Sequence, residues 1–176
     1  DRYLIVVNAS NSDKDFLWLG QHKTEGVELK NLSANLSLIA LQGPKSPEIM
    51  QKCFGRSFDD LKYYHFTVLQ GMPSGFLSTG GFKANEIFIS RTGYTGEDGF
   101  EVMVPNESAV EWWQKILKAG ESCGIKAIGL GARDTLSLEV CYPLYGHEIN
   151  DKIFPLEVGL GWVIKMTKGD FIGRAS

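Results

Sequence analysis

Residues 91–105, "RTGYTGEDGFEVMVP", carry the strongest structural pattern in this sequence of 176 residues. The first nine of them include three glycines, two carboxylates, two threonines and a tyrosine. A hairpin turn needs only one or two residues of special conformation. So much backbone freedom and hydrogen-bonding capacity in front of a strand indicates that the turn does more than reverse the chain.

The second half of this stretch, "GFEVMVP", has the two-residue period of a strand with one buried face. The period predicts that Phe100, Val102 and Val104 face the core and that Glu101 faces away from it. Two interpretations of Glu101 stay open. It is either a solvated strand glutamate or a carboxylate that offers two acceptors to a planar ligand with two parallel donors. In the second case, Tyr94 on the turn is expected to contact the same ligand by stacking or by a hydrogen bond.

Strands and helices intermix along the rest of the chain without regular βαβ units, which predicts an α+β fold. No linker divides residues 1–176, so we interpret them as one segment. In the helix predicted over 107–120, Val110, Trp113 and Leu117 fall on one apolar stripe. Short apolar or alternating runs predict strands over 2–10, 37–44, 61–70, 83–91, 99–105 and part of 155–165. Amphipathic spacing and caps predict helices over 10–23, 44–54, 107–120 and 129–140.

Composition excludes several classes of function. A net charge of −3 leaves no basic surface for a nucleic acid or an anionic membrane. Three cysteines and three histidines are scattered without metal-ligand spacing, so we expect no metal site and free thiols in a reducing compartment. No apolar run approaches the roughly 18 residues of a membrane span. We therefore expect a soluble protein of the cytoplasm, or of the mitochondrial matrix if the source is eukaryotic.

Two further positions are candidates for ligand binding. Arg133, in "GLGARDTL", is predicted in the first turn of a helix, where the helix dipole disfavours a cation. It either forms a salt bridge with a neighbour such as Asp134 or helps to hold an anion at the helix N-terminus. Asn8 follows the apolar run "LIVV" and is either a ligand contact at a strand end or a helix cap.

The order and spacing of several motifs resemble the aminomethyltransferase, or T-protein, of the glycine cleavage system. The resemblance covers essentially the whole chain and is specific. Its motifs are "VVNASNSDKD", "IALQGP", "SRTGYTGEDGFE", "GLGARDTLSLE", "YGHEI", "PLEVGLGW" and "KGDFIGR".

The resemblance implies a transferase of glycine catabolism and one-carbon metabolism. Such an enzyme takes the aminomethyl group from the lipoyl arm of the H-protein, releases ammonia and forms 5,10-methylenetetrahydrofolate from tetrahydrofolate. By motif position, Glu101 looks like the carboxylate that pairs with the pterin, and Arg133 looks like a folate-contacting arginine. Tyr94 and Asn8 fall on segments that line the folate pocket. The glycines of the turn are then expected to bring backbone close to the flat ligand.

The resemblance also implies an architecture: a ferredoxin-like α+β core with part of a discontinuous first domain. The family's mechanistic aspartate belongs to a "GGVIDD"-like segment expected before residue 1, and its β-barrel is expected after residue 176. We therefore expect a central fragment of a T-protein, inactive alone, and no catalytic residue is assigned. Two alternatives stay open. One is a folate-dependent demethylase, and the other is a folate-binding relative that maintains iron–sulfur clusters. The latter relatives carry a cysteine where this chain has Asp170, and this difference argues against them.

Overall fold

The computed structural model describes residues 3–70 and 86–175. Its centre is a four-stranded antiparallel sheet with the strand order β1-β4-β3-β2. Four helices accompany it, and the α+β class is confirmed. The strands are β1 (Leu36–Gln42), β2 (Phe66–Leu69), β3 (Ile87–Ser90) and β4 (Gly99–Pro105). The helices are α1 (Ser12–His22), α2 (Ser46–Phe54), α3 (Ala109–Gly120) and α4 (Leu130–Glu139).

One face of the sheet is covered by α2 and α3, which contact each other and β4. Phe100, Val102 and Val104 are fully buried beneath them, as the alternation predicts. Trp112 of α3 stacks on Phe54 of α2, with ring centroids 5.0 Å apart. This two-layer arrangement of helices on an antiparallel sheet buries one continuous apolar core.

The predicted apolar stripe of α3 is wrong. The helix buries Trp112 and Ile116, whereas Val110 is 68% exposed and Trp113 is 41% exposed. A 3-10 turn, Asn106–Ser108, connects β4 to α3 and sets the rotation at which the helix begins. Successive residues of an α-helix are rotated by about 100° around its axis. A shift of one residue from the predicted stripe therefore turns a different face of the helix toward the core.

The opposite face of the sheet carries Glu101. In the strand register, Glu101 lies between Ala40 of β1 and Ser90 of β3. Two apolar side chains on this face are exposed, Leu38 at 44% and Phe66 at 65%. Glu101 is therefore part of an open sheet surface, away from the core, as its position in the alternation predicts.

Two strand predictions are wrong. Residues 3–8 form no regular element and are largely exposed, and no strand pairs with them in the part of the chain that the structure describes. In the tail, 155–165 form the 3-10 turns Pro155–Val158 and Leu160–Val163 instead of including a strand. Gly159, at φ 75°, separates the two turns, and this left-handed conformation interrupts an extended run.

The predicted strands over 61–70 and 83–91 are shorter in the structure. β2 begins only at Phe66, after Tyr64 adopts a left-handed conformation at φ 61°. Residues 83–85 of the other prediction lie outside the described residues. No helix in the described ranges is long and apolar enough to cross a membrane.

Candidate functional site

The turn in front of β4 is closed by an ion pair. The Nε and Nη2 atoms of Arg91 donate hydrogen bonds of 2.9 and 2.6 Å to the two carboxylate oxygens of Asp98. A third donor of Arg91 reaches the carbonyl of Leu61 at 2.9 Å, and the backbone N–H of Gly99 donates to Asp98 at 3.0 Å. The bidentate geometry fixes both ends of the turn, so the residues between them are held in a defined loop.

The hydrogen bonds from Arg91 hold the pKa of Asp98 below its ordinary value of 3.8. A carboxylate whose pKa is lower in the folded state stabilises the fold above pH 3.8, and this contribution is lost as the pH falls through the folded value. We expect Asp98→Asn to lower the free energy of unfolding at pH 7 by about 1 kcal/mol, since partial exposure screens the pair. Urea unfolding at pH 7 and pH 3 checks this.

The matched control for that prediction is Asp60→Asn, a substitution of an exposed aspartate that is not a partner of Arg91. The difference in unfolding free energy between wild type and Asp98→Asn should shrink at pH 3. An equal difference at both pH values would show that the ion pair does not stabilise the turn.

The glycines of the turn make room for protein side chains. A Cβ atom on Gly93 would lie 1.8 Å from Oε1 of Gln42, and one on Gly99 would lie 2.5 Å from Cδ of the same residue. Gly96 has φ 76°, and a Cβ there would lie 2.3 Å from Val140. In the structure these close approaches are therefore made by Gln42 and Val140, whereas the sequence interpretation attributed them to a flat ligand.

Glu101 is half-buried, and its orientation is set by the turn. The hydroxyl of Thr92 donates a short hydrogen bond to Oε2 of Glu101. The same hydroxyl contacts the hydroxyl of Ser90 at 2.8 Å. A carboxylate has lone pairs for about four donors, so one hydrogen bond from Thr92 leaves acceptor capacity for a ligand on the open face.

Tyr94 and Arg133 are brought together although they are 39 positions apart in the sequence. The guanidinium of Arg133 lies 6.0 Å from the centre of the Tyr94 ring. The Tyr94 hydroxyl donates a short hydrogen bond to the carbonyl of Pro143, and its ring lies 5.4 Å from that of Tyr142. The segment after α4 thus holds Tyr94 in place, and Arg133 faces the turn at cation–π distance.

Arg133 lies in the first turn of α4, as predicted, because the helix begins at Leu130. It forms a salt bridge with Asp134, which is one of the two alternatives that the sequence left open. Its Nε atom is buried and, among the residues that the structure describes, has no hydrogen-bond partner. A buried donor without a partner costs free energy, so this atom favours an additional acceptor such as an anionic group.

Asn8 acts as a cap. Its Oδ1 accepts hydrogen bonds from the backbone N–H of Ser10 at 3.1 Å, from the Ser10 hydroxyl at 2.7 Å and from the Asn11 amide at 3.0 Å. It thereby begins the 3-10 turn Ala9–Asn11 that leads into α1. These local hydrogen bonds are those of the cap alternative, and contact with a ligand stays a prediction.

Two surface pockets have volumes of about 410 and 460 Å³, and of these two only the smaller is lined by residues of the turn. Glu101, Tyr94, Arg133 and Asn8 line neither of them. Within the described ranges, the predicted site is an open surface and not an enclosed cavity. The smaller pocket is lined by Tyr63, Arg91, Gly96, Glu97, Asp98 and Tyr142. The larger one lies along α4 and the following segment and includes Asp134, Ser137, Cys141, Tyr142, His147 and Glu148.

The sequence did not predict the roles of Gln42 and Thr92 or the pairing of Arg91 with Asp98. The pairing had a recognisable pattern, since opposite charges flank a glycine-rich turn. Gln42 had none, because its contacts join a strand end to a turn more than 40 positions later. Among the described residues, no group of three or more histidine, cysteine, aspartate or glutamate side chains is placed to hold a metal ion.

Comparison with known proteins gives consistent matches. Residues 1–168 match the family described as the GCVT N-terminal domain. The chain is 50% identical over 177 residues to a protein of Chlorobaculum tepidum and 47% identical over 174 residues to one of Halothermothrix orenii, both named aminomethyltransferase. Each match covers 99% of this chain and 46% of the relative, so the chain spans less than half the length of these curated relatives.

A solved structure agrees with these relatives. The crystal structure of glycine cleavage system aminomethyltransferase T from Bartonella henselae superposes with a TM-score of 0.73 at 30% sequence identity. The match covers 96% of this chain and 42% of that structure. The family match extends over nearly all of the sequence, and the chain belongs to the GCVT N-terminal domain family.

Proposed function

We propose that this chain is the folate-binding segment of an aminomethyltransferase of the glycine cleavage system. The intact enzyme would transfer the one-carbon unit from the aminomethyl-lipoyl H-protein to tetrahydrofolate, with release of ammonia and formation of 5,10-methylenetetrahydrofolate. The observation that carries the proposal is the carboxylate of Glu101 on the open face of the sheet, oriented by Thr92. The names of the relatives support the reaction, and the geometry supports the ligand.

The residues present fit a reduced folate. Glu101 offers an acceptor pair to the two parallel donors of a pterin ring. Tyr94 offers an aromatic face or a rim contact to a flat ring. The buried Nε of Arg133 needs an acceptor, and a folate carries carboxylates on its glutamate tail. Asn8 would be a fourth contact, in addition to its role as a cap.

When bound, tetrahydrofolate supplies the amine nitrogens that accept the one-carbon unit. The described residues would bind and orient it. Glu101 would fix the pterin in one orientation, and Arg133 would neutralise anionic charge near the N-terminus of α4. A catalytic residue is not assigned to this chain. Binding energy from these contacts would hold the folate amines in the position where the carbon is delivered.

The donor of the carbon unit distinguishes this proposal from a folate-dependent demethylase. The intact enzyme that carries this segment should be supplied with tetrahydrofolate and one of two donors: aminomethylated H-protein, or an N-methylated glycine together with a two-electron acceptor that can oxidise its methyl group. We expect ammonia and 5,10-methylenetetrahydrofolate from the H-protein donor, measured by mass spectrometry of the folate product. Product from the methylated amine alone would favour the demethylase. Folate binding without product from either donor would favour an iron–sulfur maintenance protein.

The proposed partners follow from the same reaction. The lipoyl-bearing H-protein delivers the substrate, and tetrahydrofolate accepts its carbon. The bacterial relatives support a location in the cytoplasm.

A further inference from the structure

The side chain of Gln42 connects three separate positions of the candidate site. Gln42 is the last residue of β1 and lies opposite Gly99 in the strand register. Its amide Nε2 donates to the carbonyl of Thr92 at 3.1 Å and to the carbonyl of Phe100 at 3.4 Å. Its Oε1 accepts from the hydroxyl of Thr95 at 3.2 Å. One amide therefore holds both sides of the turn and the start of β4.

The turn is built around this amide. Gly93 and Gly99 both face it so closely that a methyl group at either position would overlap its atoms. Thr95, which donates to the amide, is only 8% exposed. An amide that is half-buried and satisfied at both ends fixes the backbone more strictly than apolar packing does, because each hydrogen bond has a preferred direction.

The hydroxyl groups next to this amide have a defined direction of hydrogen bonding. A threonine hydroxyl has one proton, and Thr92 donates it to Glu101. Its contact with Ser90, at 2.8 Å, is then one in which Ser90 donates and Thr92 accepts. The two hydrogen bonds, from Ser90 to Thr92 and from Thr92 to Glu101, together point the Thr92 proton at the carboxylate. Thr92 therefore fixes one oxygen of the Glu101 carboxylate and with it the orientation of the group on the open face.

We propose that Gln42 is a positioning residue for Glu101. It holds the carbonyl of Thr92, and the backbone so fixed aims the Thr92 hydroxyl at the Glu101 carboxylate. The inference rests on the proposed function for the identity of the ligand, a reduced folate, but the positioning itself concerns residues of this chain alone. In a merely structural role, Gln42 would stabilise the turn and leave the environment of the Glu101 carboxyl group unchanged.

The test compares the side-chain carboxyl ¹³C resonance of Glu101 in variants of the ligand-free chain, assigned with Glu101→Gln. Thr92→Val removes the donor and gives the shift expected for loss of the hydrogen bond. We expect Gln42→Ala to move the resonance in the same direction, by at least half as much. Gln114→Ala, a substitution of an exposed glutamine of α3, serves as the matched control and should leave the resonance in place.

A second variant keeps the proposal testable if Gln42→Ala fails to fold. Gly93→Ala leaves Gln42 in the chain but places a methyl group where its amide lies. This variant should move the Glu101 resonance as Gln42→Ala does. Adding Gly93→Ala to Gln42→Ala should cost less stability than adding it to the wild type, since the overlap is gone. A Glu101 resonance unchanged in Gly93→Ala and Gln42→Ala, while Thr92→Val moves it, would overturn the proposal.

Titration with tetrahydrofolate separates this inference from the proposed function. If the chain binds tetrahydrofolate, Gln42→Ala should raise the dissociation constant by about tenfold. This is the effect typical of residues that orient a ligand-contacting group without touching the ligand. An unchanged dissociation constant would overturn the positioning role in binding. If the wild-type chain does not bind, the proposed ligand fails, whereas the carboxyl resonance still decides whether Gln42 positions Glu101.

Discussion

Replacement of Glu101 by glutamine is expected to weaken binding of tetrahydrofolate by about 100-fold, or about 2.7 kcal/mol. A carboxylate accepts both parallel hydrogen bonds of a pterin, whereas the isosteric amide has one acceptor and presents an N–H group to the second donor. Loss of a hydrogen bond to a charged group costs about 1.5–3 kcal/mol. Calorimetric titration of the variant beside the wild type measures the change.

The control for this substitution is Glu107→Gln, in the 3-10 turn that follows β4. Glu107 is exposed and carries the same charge only a few residues away, so this variant reproduces the change in net charge without touching the sheet surface. It should bind like the wild type. Equal weakening in both variants would mean that the effect is one of overall charge and that Glu101 has no specific role.

Phe100→Ala is expected to lower the free energy of unfolding by about 3–5 kcal/mol, the range for removing a buried aromatic ring from a core. Phe100 is fully buried and immediately precedes Glu101. Its ring lies 5.9 Å from that of Phe58 and 5.4 Å from the guanidinium of Arg91. The substitution therefore opens a cavity under the turn as well as in the core. Urea unfolding at pH 7 measures the loss.

Val110→Ala provides the comparison for Phe100. Val110 is 68% exposed on α3, and its truncation should change stability by less than about 0.5 kcal/mol. A cost below about 1 kcal/mol for Phe100→Ala would contradict the assignment of β4 as the centre of the core. A loss of more than about 3 kcal/mol in the free energy of unfolding for Val110→Ala would show that Val110 is buried, as the predicted apolar stripe of α3 requires.

The local patterns were sufficient where burial on one face decides the structure. In β4, strict alternation put Phe100 in the core and Glu101 on the open face, and the structure confirms both. Residues 3–8 have an equally apolar pattern and yet form no strand in the described part of the chain. A strand needs a partner for its backbone groups, and apolar composition does not supply one.

The candidate site shows the same division between local and distant information. Glu101 stood out because its orientation depends on the alternation of β4 and on Thr92, nine positions earlier. Tyr94 stood out only by its place on the turn, since Pro143 and Tyr142, which hold it, come much later in the sequence. The proximity of Tyr94 and Arg133 came from the resemblance and the structure, since periodicity says nothing about contacts between a turn and a later helix. The role of Gln42 also depends on distant residues, because its side chain forms hydrogen bonds with the turn that begins about 50 positions later. A sequence pattern does not predict the direction of such hydrogen bonds.

The measurement to make first is calorimetric titration of tetrahydrofolate into the unmodified chain and into Glu101→Gln. If Glu101 binds the pterin within this segment, the wild-type chain should bind one tetrahydrofolate, and the variant should bind about 100-fold more weakly. Equal affinity in the two proteins would show that the ligand is held elsewhere. The absence of binding to the wild-type chain would contradict the proposal that these residues form a folate site by themselves.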